Sequence, residues 1–238
     1  MDINQCFCIK SDVISSRSTN KVDLLPSMAE KLNERYQQEL ITPFTIRAGD
    51  ELFAVVNTIQ NGYQVFKTLF SMAGKDNIPL YVGLGIGSIE SHHLKDSERI
   101  NGTAIWRASS ALDELKTKPD FEVLKRVSKS RFRYNLHVSQ DESVNRAVET
   151  YLYFSMSRIS KRTPRQKQAV EARENHPDWS NDQLFRCING TEDNFISTEN
   201  AIANFSKLLM RADYKLIHES ESLFIDLLKT LICKDIKC

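Results

Sequence analysis

Apolar and polar positions along the first 140 residues alternate between two periods. Cys6-Phe7-Cys8-Ile9, running into Lys10-Ser11-Asp12-Val13-Ile14, reads as an apolar strand with a polar end. Leu24, Leu25, Met28, Leu32, Tyr36 and Leu40 then fall at helical spacing. Two further strands, Phe44–Ala48 and Leu52–Val56, are separated only by Gly49-Asp50-Glu51, a tight hairpin. A helix over about Gln60–Met72 is followed by the strand Pro79–Gly87, in which Gly83, Gly85 and Gly87 alternate. Glycines at every second strand position predict close approach of another backbone or a ligand to that face. Ile105–Leu115 is helical, and Phe132–Val138 alternates as a last strand.

Beyond Val138 no strand pattern recurs. Val144, Ala147, Val148, Tyr151, Leu152, Ser155 and Ile159 form one long helical stripe over Asp141–Ile159. Shorter helices follow at Thr163–Asn175, Asn181–Ile188, Thr198–Met210 and Leu216–Ile232. Thr163 with Pro164 marks a helix start, Ser180 with Gln183 three residues on predicts a capping box, and Ser197 is a further N-cap. The pattern predicts an α+β domain over residues 1–140, a connecting helix over 141–160 and an all-helical domain over 161–238.

Composition narrows the picture. The chain has 238 residues, of which 41% are hydrophobic and 26% charged, enough for a real core and unlike a disordered segment. With 32 Lys+Arg against 31 Asp+Glu, it is no general polycation. No apolar run reaches the ~18 residues of a membrane span, and no secretory leader is expected from Met1-Asp2-Ile3-Asn4-Gln5. Its five cysteines include no CxxC pair and form no disulfide framework, so a reducing, cytoplasmic setting is expected. Cys6 and Cys8 share one strand face and read as a buried thiol pair. His92-His93 would point to opposite faces of a strand and is read as an exposed loop.

The sharpest chemistry lies on the hairpin. Asp50 and Glu51 sit at a rigid tip, and Asp12 ends the first strand, whose neighbour the hairpin would be. Carboxylates from adjacent strand ends can hold Mg²⁺ and, through it, a triphosphate. Gly-Asp is equally a favoured turn dipeptide, and Glu51 can simply be solvated. Ser15, Ser16 and Arg17 follow the first strand, where hydroxyls, N–H groups and a guanidinium can meet phosphates. Asn101, Gly102 and Arg107 lie near a helix start after the glycine-rich strand. A solvated surface arginine is the competing reading for Arg17 and Arg107.

Asp12 followed by Phe44-Thr45-Ile46-Arg47-Ala48-Gly49-Asp50-Glu51-Leu52-Phe53 resembles the palm domain of nucleotide cyclases and GGDEF-type diguanylate cyclases. More closely, the chain resembles the SatD family. The matching segments are Ile9–Arg17, the Gly-Asp-Glu hairpin, Val82–Ile89 and Asn101–Ala108. The resemblance implies a ferredoxin-like sheet with Asp12 and Asp50 as ligands of Mg²⁺ or Mn²⁺. It implies Glu51 as a supporting, catalytic carboxylate and Gly49 at the nucleotide. A homodimer is implied by it alone. Ala48 replaces the first glycine of the GGDEF pattern, no Arg-x-x-Asp precedes the hairpin, and guanine-reading residues are not matched. These departures argue against cyclic di-GMP synthesis.

The helical part carries a basic cluster, Arg158, Lys161, Arg162, Arg165 and Lys167, suited to DNA phosphates. The helices from Asn181 and Thr198 would form a helix-turn-helix, with Asn200, Asn204 and Lys207 among the candidate base readers. Against this, residues 141–238 hold 14 Lys+Arg and 15 Asp+Glu, and the connection between the two helices is long. The SatD resemblance favours the helix-turn-helix reading. The expected function is a nucleotide-responsive regulator with a DNA- or protein-binding tail. The alternatives are an active cyclase, nucleotidyltransferase or NTP hydrolase, and a non-catalytic interaction module.

Overall fold

The computed structural model describes residues 3–16, 19–117, 132–190 and 196–235. Arg17 lies outside them. The described residues form an α+β protein with one five-stranded mixed sheet and eight α-helices.

The sheet is built from β1 (Ile3–Val13), β2 (Leu40–Arg47), β3 (Glu51–Val56), β4 (Leu80–Ile89) and β5 (Arg133–His137). Helix α1 (Leu25–Arg35) lies between β1 and β2, α2 (Ile59–Asp76) between β3 and β4, and α3 (Thr103–Thr117) between β4 and β5. The strand order is β2-β3-β1-β4-β5. Every neighbouring pair is antiparallel except β4–β5. β1 is central, and its middle, Cys6–Ile9, is buried on both faces and reads as a continuous apolar run.

The two faces of the sheet have different covers. Phe7 packs against α2 so closely that a Cβ on Gly62 would stand 2.2 Å from the Phe7 ring. Cys6, Cys8, Phe53 and Val55 point the other way, into a cluster with Ala104 and Ala108 of α3. The alternating glycines of β4 lie on this second face. A Cβ at Gly83 or Gly85 would come within 2.1 Å of the Ala108 or Ala104 carbonyl oxygen, respectively. A backbone, that of α3, therefore occupies the approach the glycines predicted. Burial pushes the Cys6 thiol up to about 12 and raises Cys8 as well, which keeps both neutral.

The remaining helices are α4 (Glu142–Ser160), α5 (Pro164–Asn175), α6 (Asn181–Asn189), α7 (Thr198–Arg211) and α8 (Tyr214–Asp235). Both Thr163–Gln166 and Ser180–Gln183 form complete capping boxes, and Ser197 caps α7. The predicted cap residues thus satisfy the orphan N–H groups of the first turns.

The chain divides into two compact units. One comprises residues up to Tyr151 together with those from Ile225 onward, and the other is Leu152–Phe224. The division falls inside α4, the helix expected to connect the two domains, and the second half of α8 belongs to the sheet unit. In that half Leu228 and Ile232 are fully buried, and Cys233 Sγ accepts a hydrogen bond from Gln5 Nε2 at 3.3 Å. The helical unit has its own core of Ala169, Ala172, Leu184, Phe185, Ala201 and Phe205, drawn from α5, α6 and α7. No helix among the described residues is long and apolar enough to cross a membrane.

Candidate functional site

Strand register brings the hairpin to Asp12. Asp12 stands directly opposite Glu51 across the β1–β3 ladder, and Glu51 is opposite Arg47 across the hairpin. Directly opposed residues of an antiparallel pair share a face, so these side chains meet on the α3 side of the sheet. Ala48 (φ 49°) and Gly49 (φ 91°) both turn through the left-handed region, placing Asp50 at the hairpin tip.

The surroundings of these acids are cationic. Lys116 of α3 forms an ion pair with the Asp12 carboxylate. Glu51 Oε2 lies 3.3 Å from Lys10 Nζ, and Glu51 Oε1 lies 3.5 Å from Arg47 Nη1. Arg47 also grips Glu98 through two hydrogen bonds of 3.1 and 3.2 Å, and its guanidinium lies 4.7 Å from the Phe53 ring centroid. Lys10 reaches Ser109 of α3 at 3.4 Å. The expected acidic cradle is therefore a charge-balanced cluster, Asp12, Glu51 and Glu98 against Lys10, Arg47 and Lys116. Asp12 and Glu51 keep about a fifth of their side-chain surface exposed, at 22% and 20%. Ser15 and Ser16 continue the chain beyond Asp12 at this same end.

Asn101, Gly102 and Arg107 are not brought to that end. Helix α3 runs back along β4, so its start lies over Gly87, which pairs with Cys6, six residues of β1 away from Asp12. That separation is about 20 Å along a strand. Gly102 (φ 145°) lies so close to Ser88 that a Cβ would stand 2.4 Å from its carbonyl oxygen. Asn101 accepts from Trp106 Nε1 at 2.8 Å and donates to Glu90 at 3.1 Å. Arg107 donates to the Ile86 carbonyl at 2.7 Å. These residues build the start of α3. His92 and His93 lie in an exposed loop, as expected.

A second polar cluster sits elsewhere in the sheet unit. His137, at the end of β5, lies 2.9 Å from Glu114 Oε2 of α3 and 3.6 Å from Glu149 Oε1 of α4. Burial first, and the neighbouring Glu114 charge second, push the Glu149 carboxyl from 4.5 up to about 8, opposed by the Leu136 N–H and Arg146. Folded Glu149 therefore holds a proton across a window, from roughly pH 4.5 to 8, in which the unfolded chain has released it. Stability from this group is complete below that window and is lost as pH rises through it. In chelating buffer, raising the pH from 5 to 8 should lower the melting temperature of wild type more, or raise it less, than that of Glu149→Gln, and the two slopes should differ by this group's contribution. An unchanged slope in the variant would contradict this assignment.

In the helical unit three of the five basic candidates are bonded within the unit, although Arg158 and Arg165 remain exposed. Arg162 Nε donates to the Ala212 carbonyl at 2.9 Å, and Arg165 Nη1 donates to the Ile188 carbonyl at 3.0 Å. Arg158 pairs with Asp213 at 2.6 Å. Carbonyls in the last turn of a helix lack intrahelical donors, and Arg165 serves the end of α6 in this way while Arg162 serves the residue that caps α7. Burial lowers the Arg162 guanidinium from its usual value, opposed by Glu174, Glu221 and Asp213. Lys161 and Lys167 are exposed. Asn200, Asn204 and Lys207 form an exposed stripe on α7, beside the buried Ala201 and Phe205. Arg162→Ala should destabilise the helical unit by about 1–3 kcal/mol, the cost of leaving a half-buried acceptor unpaired. Trp179, stacked on His176 at 3.9 Å, reports this in denaturant titrations of a Trp106→Phe background. An unchanged midpoint would show Arg162 to be an ordinary surface cation.

A mixed sheet with an acid–base cluster at one strand end, joined to a separate helical core, defines the class of the protein. The chain belongs to the SatD family, whose model matches residues 6–151. The match covers all five strands, apart from the first residues of β1, and α1 to α3. No curated protein matches the chain.

Proposed function

We propose that the sheet unit binds a nucleoside triphosphate with Mg²⁺ or Mn²⁺ at the Asp12 end, and that the chain is a nucleotide-responsive regulator. The observation that carries this reading is the direct opposition of Asp12 and Glu51 beside the Asp50 turn. The connection order β–α–β–β–α–β with strand order β2-β3-β1-β4 supports a ferredoxin-like, palm-type sheet, to which α3 and β5 are appended.

The donor set suits the ion. Hard divalent cations take carboxylate oxygens and complete their shell with water and phosphate. Asp12 and Asp50 would hold the metal, and Glu51 would support it. Bound there, the metal would neutralise and polarise the phosphate chain. Lys10, Arg47 and Lys116 now neutralise the acids. On binding of metal-bound nucleotide these cations would exchange their carboxylates for phosphate oxygens, and the carboxylates would turn to the metal. This exchange is the event a regulator would sense.

The helical unit is the partner-docking element of this reading. Its exposed stripe of Asn200, Asn204 and Lys207, with Lys161 and Lys167, fits DNA or an acidic protein surface. Titration of the full chain with ATP, GTP, CTP and UTP in Mg²⁺ tests the proposal. Saturable binding that Asp50→Ala abolishes is expected. Absence of binding for all four nucleotides would overturn it.

A further inference from the structure

The second polar cluster lies at a cleft of about 480 Å³ framed by α3, the end of β5 and the start of α4, all within the sheet unit. Glu114, His137 and Glu149 come from those three elements and line the cleft. One ligand atom from each lies within 4.8 Å of the others. Glu114 and Lys116 are two residues apart on α3 and so project to opposite sides of the helix. The cluster is thus separate from the Asp12 ion pairs.

The spacing is that of a coordination shell. Donor atoms bound at 2.0–2.1 Å around a tetrahedral zinc ion lie about 3.4 Å apart. The observed 2.9 and 3.6 Å from His137 Nε2 bracket that value. The two His137 pairs therefore need to move by only a few tenths of an ångström, and the Glu114 and Glu149 ligand atoms lie within 4.8 Å of each other.

A further observation points to a missing partner. Glu149 is only 5% exposed, and its Oε1 carries no hydrogen bond. The 3.6 Å to His137 is too long for one. A buried carboxyl oxygen without a hydrogen-bond partner is costly, and a cation that displaces the proton supplies one. Imidazole with two carboxylates is the donor set of zinc-class ions, whereas Mg²⁺ and Ca²⁺ prefer oxygen alone.

We propose that Glu114, His137 and Glu149 form a three-ligand site for a divalent transition metal of the zinc class, with its open coordination position facing the cleft. Three protein ligands and one open position are the arrangement of a site that exchanges water or a small ligand, rather than of a closed structural site.

Equilibrium dialysis of the metal-free full chain against Zn²⁺, with elemental analysis, tests this. One zinc per chain is expected, with a rise in melting temperature. His137→Gln should weaken zinc at least 100-fold. Glu149→Gln, which preserves shape, should do the same and keeps the test decisive if the histidine variant fails to fold. Co²⁺ should give an absorption spectrum with no thiolate charge-transfer band. Asp50→Ala, His92→Ala/His93→Ala and Cys187→Ser/Cys233→Ser should all retain zinc. Retention of Asp50→Ala binding separates this site from the nucleotide site. Wild-type affinity in Glu149→Gln, a thiolate band, loss of zinc in any of the three control variants, or no stoichiometric zinc in the wild type would each overturn the proposal.

Discussion

Gly85→Val should abolish the cooperative unfolding transition of the sheet unit. A Cβ at Gly85 would stand 2.1 Å from the Ala104 carbonyl oxygen and 2.3 Å from the Ala108 nitrogen. Both are backbone atoms of α3, so no side-chain rotation relieves the overlap. Overpacking a core costs about 1–3 kcal/mol where side chains can yield, and more where they cannot. Displacing α3 would also open the cluster of Cys6, Cys8, Phe53 and Ala108 beneath it. Against a total stability of about 5–15 kcal/mol, the valine variant should be largely unfolded or molten, and Gly85→Ala destabilised by ~3 kcal/mol or more. Gly74→Ala is the matched control. It lies in α2 with open space around it and should gain about 0.5–1 kcal/mol. Denaturant titration of the three variants checks the series, and equal midpoints for Gly85→Ala and wild type would contradict the packing account.

Asp12→Asn should separate stability from ligand binding. The substitution keeps the shape of the side chain but removes its charge from Lys116. That pair is partly exposed, so its loss should change stability by no more than about 1 kcal/mol. The effect on nucleotide should be larger, because the metal loses an anionic ligand. Binding in Mg²⁺ is expected to weaken at least tenfold, about 1.4 kcal/mol, while any residual binding in chelator should strengthen because Lys116 is released. Lys116→Ala should differ in chelator, where it weakens phosphate attraction instead of strengthening it, while it keeps the metal ligands. Titration calorimetry of both variants, with and without Mg²⁺, distinguishes them. Equal affinities across the set would remove Asp12 and Lys116 from the site.

Much of the fold was legible in the residues. The run Gly83, Gly85, Gly87 announced a backbone or a ligand pressed against β4, and the backbone of α3 is what lies there. Ser180 with Gln183 announced the start of α6, because a capping box is a purely local device. The convergence of Asp12 on the hairpin followed from the hairpin lying beside β1, although the sequence pointed at Asp50 and the register pairs Glu51.

The less legible features depend on direction and partnership. The motif around Asn101 and Gly102 sits at the far end of the sheet because α3 folds back along β4, and no local pattern encodes that reversal. The basic run after Arg158 displayed charge without its acceptors. Arg162 and Arg165 reach carbonyls at the ends of distant helical segments, which only the packing reveals. Glu114, His137 and Glu149 were missed because three elements contribute one residue each. A signal existed: Asn135 and His137, opposite Gly83 and Gly85, are polar positions on the β5 face that α3 covers. Polar residues on the face covered by a helix call for a polar partner within it.

The most direct test is calorimetric titration of the intact wild-type chain with each nucleoside triphosphate, in Mg²⁺ and again in chelator. Saturable, one-per-chain binding that requires the divalent ion and disappears in Asp50→Ala is the predicted result. Heats that remain flat for all four nucleotides in Mg²⁺, from a chain whose folding is confirmed by its denaturation curve, would contradict it.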